Sequence, residues 1–308
     1  MLQALRGLMA ADPAVHLLTS DTGFHVFDEL RREYAARFLN VGIAEAALIS
    51  VAAGLARAGR QVFVYGIAPF VTMRCFEQIR VDLCYPRLPV KIVGVGAGLT
   101  YGPAGPTHHA IEDIAVMSAL PNMTVICPGD PVETRRAVEA SVALAGPCYL
   151  RLGKSGEPRV HPGELPDFAP GRGIRLRCGR GLAVLATGSL LATACEACVR
   201  LGAAGLDPEL ISMHTVKPLD RALLLDAARR CAWVATVEEH SVVGGLGAAV
   251  AAVLAEEAPG VRLRRFGVPD CYTDVAGSQE YWRGRYGLTA EQIAGELLRA
   301  VRDGGGRP

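Results

Sequence analysis

The chain has 308 residues, 50% of them hydrophobic, and carries 32 basic against 31 acidic side chains. A charge so nearly balanced offers no broad attraction to nucleic acid or to an acidic membrane surface. The longest apolar stretches are broken by Gly, Ser or charge well short of a membrane span. The first ten residues carry Arg6 inside an alternating apolar pattern and lack the charged region and apolar block of a secretory signal.

In chain order, short β-branched runs predict buried strands at 15–18, 62–65, 90–94, 124–127 and 148–150. Ala/Leu-rich stretches between them predict helices over 45–58, 70–81, 111–120 and 131–143. Asp130 before Pro131 is an N-cap followed by proline at the first helical position. Such alternation argues for a parallel sheet covered by helices on both faces. Pro158, Pro162, Pro166 and Pro170 then interrupt the pattern and mark a linker. A second series predicts strands at 182–186, 208–212, 233–238 and 261–267, with helices over 191–203, 219–231, 245–256 and 289–301. The tail, 304–308, is expected to fray. The expected fold is α/β with two doubly wound domains, 1–153 and 176–308, joined by a linker at 154–175.

The nine cysteines are scattered, and an odd number in a chain this long does not suggest a disulfide framework. Only Cys195 and Cys198 are close, and one pair falls short of the four ligands of a structural zinc site. Small buried thiols in the cytoplasm are the expectation, with no metal held by this chain.

Two glycine clusters invite comparison with nucleotide loops. Gly94, Gly96 and Gly98 follow a strand, but their spacing is not the dinucleotide fingerprint. Gly244, Gly245 and Gly247 open a helix, but the preceding Glu238 and Glu239 would repel a phosphate. Tight turns and close backbone packing account for both.

Two stretches carry chemistry. In Phe38-Leu-Asn-Val-Gly-Ile-Ala-Glu45 a single carboxyl enters an apolar helix. Two readings stand at this point: a buried carboxyl that shares a proton, or an ordinary helix-start glutamate favoured by the dipole and left in solvent. The second stretch, Gly102-Pro-Ala-Gly105-Pro-Thr-His108-His109, is a rigid loop followed by Glu112 and Asp113. A histidine there suits general acid–base work or hydrogen bonding to a developing charge. The two histidines and two carboxylates follow no recognisable zinc spacing.

These runs resemble the C-terminal half of a transketolase. So do Phe70-Val-Thr-Met-Arg74-Cys-Phe-Glu-Gln-Ile-Arg80, Leu120-Pro-Asn-Met-Thr-Val-Ile-Cys-Pro-Gly-Asp130 and Val237-Glu-Glu-His-Ser-Val-Val-Gly-Gly-Leu-Gly247. The resemblance covers nearly the whole chain in the family's order. It implies a thiamine-diphosphate pyrimidine-binding domain followed by a transketolase C-terminal-like domain with a mixed sheet. The implied reaction moves a two-carbon ketol unit from a ketose donor to an aldose-like acceptor. By the resemblance, Glu45 is the catalytic glutamate that bonds the cofactor's aminopyrimidine, Phe70 stacks on that ring, and Asp21 lies near it. His108 is implied to contact the sugar and move a proton, and Arg151 to grip a substrate phosphate with its planar donor fork. His109 and His25 fall at further substrate-facing positions.

Departures from the family pattern at Ile67, Gly96, Ala104, His109 and His25 point away from ordinary phosphopentoses, toward an unusual or unphosphorylated acceptor in a specialised pathway. The family's Gly-Asp-Gly motif for diphosphate and metal is missing. An N-terminal partner subunit is therefore expected to hold the diphosphate with Mg2+ or Ca2+, in an α2β2 heterotetramer. Other readings are a β-type subunit of a 2-oxo-acid dehydrogenase or decarboxylase, a 1-deoxyxylulose-5-phosphate-synthase-like enzyme, and a regulatory partner without chemistry. The Gly-Pro-Thr-His loop favours transketolase over the dehydrogenase.

Overall fold

A computed structural model of the chain describes residues 1–303. The tail expected to fray, 304–308, lies outside the described residues. Strands β1 (Val15–Thr19), β2 (Phe38–Asn40), β3 (Gln61–Ile67), β4 (Val90–Val95), β5 (Thr124–Ile126) and β6 (Cys148–Leu152) pair in parallel in the order β5-β6-β4-β3-β1-β2. Every residue of β4 is buried, as a strand covered on both faces requires. Its one charge, Lys91, donates to Gln61 Oε1 at 2.5 Å and to the Pro89 carbonyl at 2.7 Å. Burial pushes that ammonium's pKa down to about 8.

The second half contributes β7 (Ile174–Arg177), β8 (Leu182–Ala186), β9 (Glu209–Ser212), β10 (Thr215–Lys217), β11 (Trp233–Ser241) and β12 (Arg262–Val268). Five of them form a sheet in the order β12-β11-β8-β9-β7, parallel except where β7 meets β9. The sixth, β10, crosses over and pairs antiparallel with β5, so the first sheet has seven strands and is not wholly parallel. The amide of Cys127 donates to the His214 carbonyl at 2.6 Å and draws that segment across. The halves also share a core: Leu18, Ile92 and Met117 belong to the same buried cluster as Ile211, Leu246 and Val250.

Among the segments that differ from the expectations, three bear on how the chain is read. The helix expected over 70–81 is broken into Ala68–Thr72, Phe76–Gln78 and a π-helical turn, Ile79–Cys84. The break falls at Cys75, whose backbone leaves the helical region (φ −116°, ψ 26°) while its thiol donates to the Phe70 carbonyl. The N-terminal pattern that reads as alternating is the helix Leu2–Ala11, with Ala4, Leu5 and Met9 buried at helical spacing. Part of the linker, finally, is strand β7.

The rest of the linker is tied down. Asp130 Oδ1 caps the helix Pro131–Ser141 by accepting from the Glu133 amide at 2.8 Å. Its Oδ2 accepts from the amides of Val160 (3.0 Å) and His161 (2.9 Å). Glu133 accepts from Gly129 N–H through one oxygen and from His161 Nε2–H, at 2.8 Å, through the other. Burial opposes charge on His161, but the hydrogen bond and charge of Glu133, with Asp130 behind it, carry its pKa above the ordinary value. A raised folded-state pKa adds stability that is fully present below the unfolded value of about 6.5 and is lost as pH rises through the folded value. We expect His161→Phe to destabilise the chain by about 1–3 kcal/mol at acid pH. Urea unfolding of both proteins at pH 5.5 and pH 9 checks this, and a loss that does not shrink at the higher pH refutes the ionic contribution.

Candidate active site

Parallel strands bring their C-terminal ends to one edge of a sheet, and loops at that edge are where α/β folds collect reactive groups. At that edge, Ser20 and Asp21 follow β1, and Asn40 ends β2 ahead of Glu45. Phe70 and Arg74 follow β3, and the long loop carrying His108 follows β4.

Glu45 begins the helix Glu45–Arg57 and is only 3% exposed, which decides between its two readings in favour of the buried carboxyl. Oε1 accepts from Ser20 Oγ at 3.3 Å, and Oε2 accepts from the Arg74 guanidinium at 2.9 Å. That guanidinium also lies 4.2 Å from the centre of the Phe70 ring. Phe70 is half-buried, and its ring meets His108 edge-on at 5.2 Å. His108 is half-buried too, with Nδ1 3.0 Å from Thr107 Oγ1 and the Tyr101 ring 6.1 Å away. Glu45, Phe70 and His108 thus form one connected group.

The other expected residues stand apart from it. Asp21 is exposed, adopts φ +52°, and exchanges two hydrogen bonds with Asn40: its amide donates to Oδ1 at 2.9 Å and its carboxylate accepts from Nδ2 at 3.2 Å. His25 is almost fully exposed, 3.7 Å from Asp28. His109 is buried. Its Nε2 donates to the Gly102 carbonyl at 3.3 Å, so Nδ1 is the acceptor for the Thr273 hydroxyl, also at 3.3 Å.

Arg151 is among the most enclosed of the expected residues. It is 3% exposed, with Nε on Asp113 Oδ2 at 2.8 Å and Nη2 on the carbonyls of Ala110 (2.8 Å) and Glu239 (2.9 Å). Through these bonds the guanidinium ties the end of the His108 loop to the second domain. Ser20 and Arg74 join the site without having been singled out by sequence. Arg74 does carry a signal, since it follows Phe70 by four positions just after a strand.

Residues 1–158 match the transketolase pyrimidine binding domain, and residues 171–293 match the transketolase C-terminal domain. The chain is 36% identical over 262 residues to an apulose-4-phosphate transketolase subunit of Actinobacillus succinogenes, spanning 85% of this chain and 84% of that one. It is 38% identical over 262 residues to a 6-deoxy-6-sulfo-D-fructose transketolase subunit of a Clostridium species, spanning 85% and 80%. Its structure is similar to that of a split gene transketolase described as an inactive beta4 tetramer, with a TM-score of 0.87, 40% identity, and 98% and 96% of the two chains covered.

Removing one partner of the Glu45–Arg74 pair strands a buried carboxylate. We expect Arg74→Met to destabilise the isolated chain by about 1–3 kcal/mol, and the double variant Glu45→Gln/Arg74→Met to recover most of that loss. Denaturant unfolding of the single and double variants checks the coupling; additive losses would count against it.

Proposed function

The chain belongs to the transketolase family, and from that premise we propose that it is the C-terminal subunit of a split enzyme transferring a two-carbon ketol unit between sugars. The observation that carries the reading is the buried Glu45 carboxylate grouped with Phe70 and His108 at the C-terminal edge of a parallel sheet.

The family uses thiamine diphosphate, and the residues present fit its aminopyrimidine. A planar, N–H-bearing group needs a ring face to stack on and a carboxylate to donate to; the Arg74 guanidinium makes both contacts, over Phe70 and to Glu45. When bound, the cofactor supplies a nucleophilic carbon and an electron sink for the ketol fragment. Glu45 would hold a proton at the pyrimidine nitrogen, in a setting largely closed to water. Phe70 would fix the plane of the ring, with Arg74 yielding its place there. His108, whose Nδ1 is engaged by Thr107, would present Nε2 to a sugar oxygen and move a proton to or from it. Asp21 would border the cofactor, and His25 the substrate mouth. Arg151 and His109 would act by holding the His108 loop.

This chain lacks the family's diphosphate motif, so a partner subunit is assigned the diphosphate and its Mg2+ or Ca2+, in an α2β2 assembly. The free thiols fit a cytoplasmic enzyme. Among the described residues no helix is long and apolar enough to cross a membrane. Both similar subunits are named for sugars other than the common phosphopentoses, which agrees with the departures at Ala104 and His109 and supports a specialised substrate.

Co-expression with an N-terminal partner subunit should yield ketol transfer that requires thiamine diphosphate. Glu45→Gln in that complex should lower turnover by about 100- to 10,000-fold, since the proton relay is lost while the shape is kept. Turnover near that of the wild type would overturn the assignment of Glu45. Equal rates on xylulose 5-phosphate with ribose 5-phosphate would overturn the specialised substrate.

A further inference from the structure

His108 sits on a loop that belongs to the first domain by sequence but is held by the second. The two ends of the loop are pinned together by reciprocal bonds between Gly98 and Ala110, both 2.9 Å. Just inside that closure, the Leu99 amide donates to Glu239 Oε1 at 2.7 Å. Glu239 lies on β11 and is 1% exposed, so its charge is met by protein donors rather than by water. Gln279 Nε2 donates to the same oxygen at 2.8 Å and also reaches Thr100 Oγ1 at 3.3 Å, and Arg283 Nε donates to Oε2. Gly98 has φ +64°, and a Cβ there would lie 2.5 Å from Glu239 Oε1, so the carboxylate is pressed against the loop's first turn. Gly102 approaches the Gly277 carbonyl so closely that a Cβ would meet it at 2.4 Å. The loop therefore lies on a platform made by β11 and the segment 273–283.

We propose that Glu239 is a positioning residue for the transfer reaction: it orients the loop 99–110, and so sets His108 against Phe70. The inference rests on the functional reading above. Glu239 contacts no substrate itself; it acts through the Leu99 amide. Its charge is used because three donors converge on two oxygens, and a neutral amide cannot accept from all three. In Glu239→Gln, an oxygen turned toward Leu99 and Gln279 leaves the NH2 facing Arg283, donor against donor. Removing Arg283 relieves that conflict and leaves the substituted amide free to accept from Leu99.

The test uses the complex with the N-terminal partner and two readouts, hydrogen exchange at the Leu99 amide and the separate values of kcat and KM. Glu239→Ala should speed Leu99 exchange and lower kcat by about 10- to 100-fold, the scale of a misplacement near 1 Å, with a smaller change in KM. Glu239→Gln should fall in the same direction. Glu239→Gln/Arg283→Met should return both readouts to within about threefold of wild type, the rescue that an acceptor for Leu99 predicts. Failure of that rescue, or a kcat unchanged in Glu239→Ala, overturns the proposal. Should Glu239→Ala not fold, Gln279→Leu removes one contact from the same carboxylate and one from Thr100; a kcat loss with faster Leu99 exchange supports positioning, and neither change refutes it. Leu99 exchange reads the platform without turnover, so an inactive wild-type complex would count against the functional reading while the exchange rates still judge the platform.

Discussion

Asp113 and Arg151 form an ion pair with both side chains almost wholly buried, and the path of the chain from β4 to the following helix depends on it. Charges placed so deep are tolerated only when their remaining polar atoms are occupied, and losing one partner typically costs about 3–5 kcal/mol. Here Asp113 Oδ2 also accepts from the Tyr149 hydroxyl at 2.6 Å, and Arg151 reaches two carbonyls, one in each domain, while Asp113 Oδ1 is buried without a partner among the described residues. Nearby, His240 is kept neutral, its pKa pushed down to about 4 by burial. It therefore donates from Nδ1 to the Ser241 carbonyl at 2.8 Å and accepts from the Ala115 amide at 3.3 Å. The seam between the domains thus adds polar, directional contacts to the apolar core the halves share, and direction is what a fixed loop geometry needs.

That seam explains why one side of the candidate site is well built while the other is open. His108 is backed by the loop and by the second domain. Around Glu45, by contrast, Leu39, Ile43 and Met73 are 42%, 77% and 37% exposed. Apolar side chains left bare beside a buried carboxylate fit a surface that another subunit covers, in keeping with a chain that matches the pyrimidine binding domain and lacks the diphosphate motif.

Much of the fold is legible because buried parallel strands and amphipathic helices each leave a periodic trace. The strand 182–186 and the helix 191–203 can be read to the residue. What escapes are elements too short or too dependent on tertiary partners to leave one. Strand β10 has three residues and exists because β5 offers an edge. Within the candidate site, Glu45, Phe70 and His108 emerge through the family pattern of their surroundings. The position of Arg151 does not: its side chain turns inward because Asp113, 38 residues earlier, and the Glu239 carbonyl, 88 residues later, meet there. No local pattern encodes such a convergence.

The glycine clusters show the same logic from the other side. A Cβ at Gly94 would strike Tyr149 at 2.7 Å, and one at Gly96 would strike Tyr101 at 1.9 Å, so these residues are small because aromatic rings need the room. Gly245 precedes the helix Leu246–Glu257, whose first amides resemble a phosphate cradle. They are already taken: Glu238 accepts from Leu246 and Gly247, each at 2.7 Å. Burial pushes that carboxyl up to about 7, while the two amides favour its charged form. A helix start capped by the chain's own buried carboxylate has neither the space nor the charge to receive an external anion. The two glutamates that follow one another on β11 therefore divide the work, Glu238 closing a helix of the second domain and Glu239 reaching across to the loop of the first.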